Sequence, residues 1–470
     1  MSLDILFLIA SLVGVILPLV LAHYYKNDGI DRWRWLLFSK AIRDNSLRTP
    51  TYIDRYIFKH RFSYPPLFLK ILALIPNKKR ENYSYLISPI VSLFEGFLIF
   101  FFVLKISNSI AAASISLALY STTPANIIEN FYLNTRCFGQ FIFTLSIFSI
   151  YFYVTEGRLF FAALLATCIL LNSHRMTLQL YFFSIIAISF YFETLRPLLL
   201  LLLSVLICIV ITKSQCLVNF KAHYTQLNYY RILFQKNKEK ISIKVKPLLL
   251  AIFGRNLYLG LAYYIYFTNN VGFSQLANYC IIISAIILFA AISSTFIKDL
   301  LFIGEGYRYI GFATPFVAIF LGINYNYINN NVLILFFIIS ILAVLYKHYI
   351  FLFGISSPFN NTKINEELEK ILDSIFLNKN INYRFMSYPP VYDDYVAYHY
   401  ENTVVAFHDN GLACEDMKEF TPHFLVNPNL SNLIDKFKID VLVSHKKIMT
   451  PISTHQERII NDSIYLYVRQ

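Results

Sequence analysis

Residues 3–22 form an almost unbroken apolar run, and comparable runs recur near 84–104, 137–154, 196–212, 247–267 and 331–354. Each is long enough to carry a helix across the hydrocarbon core of a bilayer, which takes about 20 residues at 1.5 Å per residue. Shorter or interrupted apolar stretches lie near 108–122, 159–172, 176–193, 276–292 and 309–324. Together they predict about eleven crossings. Of the 470 residues, 57% are hydrophobic and only 15% charged, which argues against a water-soluble globule and against a single-pass or peripheral protein. The opening run lacks a preceding basic segment and a following small-residue cleavage site, so a retained first helix is expected rather than a removed signal peptide.

Three segments interrupt this pattern: 23–83, 213–246 and 360–470 are long and polar. Six of the expected crossings separate the first from the second, and four more separate the second from the third, so all three are expected on one face of the membrane. The chain therefore reads as a polytopic α-helical membrane domain over 1–357, its first loop at 23–83, followed by a small soluble α/β domain over 358–470. In the first loop, Asp31–Asn45 has apolar residues at roughly helical spacing, and LFLKILALIP after Tyr64-Pro65-Pro66 is too short to span; both are expected as interfacial helices. Beyond residue 357, helix signals at 364–379 give way to strand-like runs at Tyr395–Tyr398, Thr403–Phe407, Val441–Ser444 and Ile464–Val468.

The net charge of +13 suits a nucleic acid, an anionic membrane surface or a phosphate-bearing substrate, and 213–246 is the most basic segment, with eight Lys or Arg against one Glu. The cysteines at 137, 168, 208, 216, 280 and 414 are scattered, with neither disulfide nor metal-ligand spacing. No P-loop, GxGxxG, HExxH, CxxC or GxSxG is present, which disfavours nucleotide cofactors and zinc hydrolysis.

Ionisable groups near membrane level are costly unless a site needs them. Asp28 and Asp31 can bind a divalent metal or take a proton from an acceptor hydroxyl; the plain alternative is a pair of solvated acids at a helix N-terminus. Glu129 and Arg136 flank the polar segment before the fourth run, where Arg136 is either a phosphate ligand or an interfacial anchor. His174 and Arg175 form a polar break that a plain loop also explains. Glu305 and Arg308 stand at the start of the tenth run, as a phosphate or sugar contact or as a local i,i+3 ion pair. Glu95, inside SLFEGFLIF, either hydrogen-bonds within the bundle or lines a lipid groove.

In order along the chain, Asp31-Arg32-Trp33-Arg34-Trp35, Tyr64-Pro65-Pro66-Leu67, Tyr132-Leu133-Asn134-Thr135-Arg136-Cys137-Phe138-Gly139 and Glu305-Gly306-Tyr307-Arg308-Tyr309 with Pro315 resemble elements of the multi-spanning GT-C glycosyltransferases. That class includes the aminoarabinose transferase, the protein O-mannosyltransferases and the oligosaccharyltransferase catalytic subunits. The resemblance covers most of the chain. It implies an enzyme that transfers a sugar from a polyprenyl-phosphate donor to a glycan, lipid or protein acceptor. Asp31, with Asp28 second, is implied as the base or as the ligand of a divalent cation such as Mg or Mn; Asn134 stands where some relatives carry an acid, with Glu129 as replacement. Tyr64, Arg136, His174, Arg175, Glu305 and Arg308 are implied as donor contacts.

The implied location is a prokaryotic inner membrane, with active face and C-terminal domain extracytoplasmic and no nucleic-acid partner. This conflicts with the positive-inside rule, because most Lys and Arg lie in the three polar segments. A transporter or flippase of a lipid-linked saccharide, which favours charges along many spans and a repeat between halves, is the alternative from another class. A non-catalytic assembly subunit is a third.

Overall fold

The computed structural model describes residues 3–24, 30–57, 61–236, 252–269, 272–304, 306–352, 366–377, 382–388, 390–405, 430–445, 447, 455–461 and 464–469. It is mostly helical, with one small sheet near the C-terminus. The chain divides into two compact units, Met1–Lys26 with Tyr83–Val218 and Tyr230–Leu352, and Asn27–Asn82 with Asn219–Tyr229 and Phe353–Gln470. This partition differs from the expected division at 357, because the first loop groups with the C-terminal region.

In the first unit, Asn77–Ser107 (which begins in the second), Thr135–Glu156, Gln275–Phe296 and Gly306–Ile323 are long and apolar enough to cross a membrane. Arg196–Ile211 and Gln215–Ile232 make a fifth if counted together, although they bend by 114°. The bend holds Lys213 and Ser214 at φ 48° and 66°, left-handed backbone that ends a helix. The basic segment at 213–246, expected as a loop, is thus helical over Gln215–Lys236. Ile9–Tyr24, Ile110–Thr122, Phe160–Leu171 and Asn330–Tyr346 are apolar but shorter. Four to five helices among the described residues therefore reach spanning length, fewer than the expected eleven. Turn residues cut several runs: Asn108 at φ 49° and Ser109 leave 13 residues for Ile110–Thr122, about 20 Å of helix.

Exposed apolar stripes mark the outside of this bundle. Phe94, Phe97 and Phe101 follow one helix face, and Leu199, Leu202 and Leu206 another, the spacing of a lipid-facing surface. Inside, Phe143 meets Phe312 and Phe316 edge-on at 5.7 and 6.0 Å. Small residues set the crossings: a Cβ on Gly322 would strike Ser116 and the Ala112 carbonyl, and one on Gly139 would strike Thr177 and His174. Close backbone approach of this kind is how helices associate in lipid.

In the second unit, the helix Ile30–Asp44 buries Trp33, Trp35, Leu36, Phe38 and Ile42, and also Arg32, Arg34 and Ser39. The expected bilayer-surface helix is instead enclosed by protein, because its polar face finds partners too. The second expected interfacial helix, Leu67–Leu74, buries Phe68, Leu69, Leu72 and Ala73 and leaves Ile71 and Leu74 exposed.

The sheet contains β1 (Tyr383–Tyr388), β2 (Thr403–Val405), β3 (Val441–Ser444), β4 (His455–Asn461) and β5 (Ile464–Arg469) in the order β2-β1-β3-β5-β4. β1 runs parallel to β2 and β3, while β5 is antiparallel to β3 and β4. The helices Asp393–His399 and Leu430–Phe437 make the crossovers, and Leu433, Ile434 and Phe437 pack on Met386 and Leu442. Tyr395–Tyr398, expected as a strand, is helical: Asp393 and Asp394 occupy the first turn, and one face lays Tyr395, Tyr398 and His399 on Trp33.

The first loop extends this sheet. Val405 N donates to the Arg55 carbonyl and Ile57 N to the Val405 carbonyl, both at 2.9 Å, beside a parallel bridge from Tyr56 to Val405.

Candidate functional site

Pro124 opens a seven-residue helix, Pro124–Asn130. Asn134 then caps Thr135–Glu156, its side-chain oxygen accepting from Arg136 N at 2.9 Å. Glu129 at the end of one helix is thereby turned toward Arg136 in the first turn of the next. One Glu129 oxygen accepts from Arg136 Nη1 and the other from Arg255 Nη1. Arg255 precedes the helix Tyr258–Thr268, and its carbonyl accepts from Ala125 N at 2.7 Å. The Arg255 guanidinium lies over the Tyr307 ring at 4.3 Å from its centroid, with that of Arg308 at 6.0 Å.

The cluster is largely shielded, with side-chain exposures of 13% for Glu129, 9% for Arg136 and 15% for Arg255. Burial pushes the Glu129 carboxyl up, but Arg136 and Arg255, with Arg308 adding to them, pull it down to about 2. Glu129 is therefore anionic at any ordinary pH. Two guanidiniums against one carboxylate leave a surplus of positive charge, in planar forks that suit phosphate oxygens.

The remaining residues singled out in the sequence are placed as follows. His174 is buried and caps Arg175–Tyr191, its Nδ1 lying 3.4 Å from Thr177 N and 3.2 Å from Thr177 Oγ1. Gly139, one turn beyond Arg136, makes room for that cap. Arg175 is half-buried at the start of the same helix. Arg308 lies in the 3-10 turn Gly306–Tyr309, where the Tyr309 hydroxyl bonds to Gln179 at 2.7 Å. Glu95 is fully buried, accepting from Tyr120 at 2.8 Å, Gln140 at 3.2 Å and Thr144 at 2.6 Å; of its two expected surroundings, the bundle interior is the one found. Asp28 and Glu305 lie outside the described residues.

Asp31 and Tyr64 belong to the second unit. Asp31 is 42% exposed and sits 3.5 Å from Arg34 Nη1, an i,i+3 pair. Tyr64 is buried against Trp35, ring centroids 4.7 Å apart. Among the described residues no group of three or more His, Cys, Asp or Glu side chains is arranged to hold a metal ion.

The structure thus brings Glu129, Arg136 and Arg308 together and adds Arg255, which the sequence reading passed over. Its signal was present: Arg255 is the lone charged residue of the apolar run 247–267. Scans against protein-family models and curated proteins returned no match for this chain.

Proposed function

We propose that the chain is an integral membrane glycosyltransferase that moves a sugar from a polyprenyl-phosphate donor to an acceptor hydroxyl or amide. The observation that carries this reading is the pair Arg136 and Arg255 braced on one largely shielded carboxylate. In the transfer, the bond from the sugar C1 to the phosphate oxygen breaks and its electron pair stays on the phosphate. The acceptor atom forms the new glycosidic bond and gives up its proton to a carboxylate. Fixed guanidiniums aimed at the leaving phosphate stabilise that charge without reorganising. Glu129, its carboxyl held down by the two arginines it accepts from, serves to hold them. The base is assigned to Asp31, whose partial exposure leaves it open to an acceptor.

This reading carries with it about eleven crossings, the shorter apolar helices included, in a prokaryotic inner membrane. The second unit is then extracytoplasmic, and a phosphate-binding face has its own reason to be basic.

The test is transfer by the purified full chain in liposomes containing a polyprenyl-phosphate-linked sugar. Arg136→Gln and Asp31→Asn are each expected to lower the rate by about 100-fold, at unchanged membrane abundance. Full activity in Arg136→Gln removes the phosphate clamp, and full activity in Asp31→Asn removes the proposed base. A second reading, a flippase of lipid-linked saccharide, is favoured by Glu95, a carboxylate within a spanning helix. It requires donor to change leaflets with no new glycosidic bond, which the same liposomes report.

A further inference from the structure

The second unit contains a cleft of about 510 Å³, formed where the helix Ile30–Asp44 and the chain at 50–55 meet the end of the helix Asp393–His399. The volume falls within the ~300–1,000 Å³ of small-ligand sites. Leu37, Ile53 and Ala397 back it as nearly fully buried side chains. Its walls are polar, with Lys40 and Arg55 set among Asp44, Asp54 and Glu401, and with Asn45 beside them. Lys40 bonds to the Glu401 carboxylate at 3.1 Å, and Arg55 to the Glu401 carbonyl. Tyr52, 49% exposed, stands at the rim.

We infer that this cleft binds a short neutral oligosaccharide. A pyranose ring presents apolar C–H faces and a rim of hydroxyls, each both donor and acceptor. Tyr52, the exposed aromatic of the lining, offers such a face a flat surface with a polar tip. Carboxylate, amide, guanidinium and ammonium groups among the lining residues match hydroxyls in either role. Two cations against three carboxylates leave no positive surplus, so a phosphorylated or sulfated ligand is disfavoured, in contrast to the arginines around Glu129. The assignment goes beyond sugar transfer and does not depend on it, since it concerns binding alone and uses none of the residues of the phosphate clamp.

The test is calorimetric titration of the detergent-solubilised full chain with neutral hexose and N-acetylhexosamine trisaccharides and with one sulfated trisaccharide. At least one neutral sugar is expected to bind saturably. Tyr52→Ala and Asp44→Asn, both at exposed positions, are each expected to weaken binding about tenfold, with tryptophan fluorescence confirming the fold. Arg136→Gln is expected to leave this binding unchanged even where it abolishes transfer. The assignment is overturned if no neutral trisaccharide binds, if neither cleft variant changes the affinity, or if the sulfated sugar binds more tightly.

Discussion

Arg34 and Asp394 stand 360 residues apart and share a buried ion pair, with Nε at 3.0 Å and Nη2 at 2.9 Å from the same carboxylate oxygen. Tyr56 donates to the other oxygen at 2.7 Å. Three segments of the second unit, from the first loop and from the C-terminal region, are therefore joined through one side chain, and Asp31 reaches the same arginine from outside.

Removing one partner of this pair strands the other charge in a buried site, which costs about 3–5 kcal/mol. Arg34→Met and Asp394→Leu are each expected to lower stability by that order, while the double variant loses less than the sum. Both tryptophans of the chain, Trp33 and Trp35, lie in the helix Ile30–Asp44, so tryptophan fluorescence during denaturation reads this unit. Strictly additive losses would show that the two residues are not coupled.

Acid should loosen the same unit. Burial, with Arg32 close by, lowers His399 from its ordinary 6.5 to about 4. A group whose folded value is depressed supplies stability above its unfolded value and loses it on acidification. Between pH 6.5 and about 4 the unfolded chain takes up a proton that the folded one refuses, a loss of up to about 3 kcal/mol. His399 lies 4.8 Å from Trp33, so His399→Phe is expected to flatten the fluorescence-monitored stability over that interval. An unchanged slope would assign the titration to another group.

In the first unit, Glu95 accepts from three side chains and sits at 0% exposure. Glu95→Leu leaves those buried donors without their acceptor and is expected to cost more than about 2 kcal/mol, with Glu95→Gln milder. Cys137 and Cys280 are buried in this unit, so with the other four cysteines replaced by serine, labelling by a thiol-reactive dye during heating follows its opening. Equal melting of the two variants would mean that the hydrogen bonds contribute little.

Gly322→Ala drives a methyl group into Ser116 and the Ala112 carbonyl. A loss of about 1–3 kcal/mol is expected from such overpacking. Removing the hydroxyl in Gly322→Ala/Ser116→Ala should restore part of it in the same thiol assay. No recovery would place the strain on the backbone carbonyl alone.

What could be read from residues alone was local. β3 follows the run Val441–Ser444, and the helix Glu366–Phe376 follows the amphipathic spacing of its leucines and isoleucines. Glu129, Arg136 and Arg308 drew notice as charges beside apolar runs, and they do converge. Arg255 hid inside a run counted as one crossing, which in fact breaks at Gly254-Arg255-Asn256 before the helix Tyr258–Thr268. The burial of Ile30–Asp44 was not legible because an amphipathic stripe is equally suited to lipid and to protein, and the partner that decides, Asp394, lies far along the chain. Tyr395–Tyr398 misled for the opposite reason: strand-forming side chains are held helical by Trp33, a contact that no nearby residue encodes.

The pairing of Tyr56 with Val405 also sets an order of assembly. A ribosome delivers the first loop long before its partner strand exists, and every apolar helix in between must be inserted meanwhile. Until translation passes residue 405, Trp33 and the Tyr56 edge lack the Tyr395 and Val405 contacts that cover them in the fold. Chains truncated before residue 405 would leave the same surface without its partners.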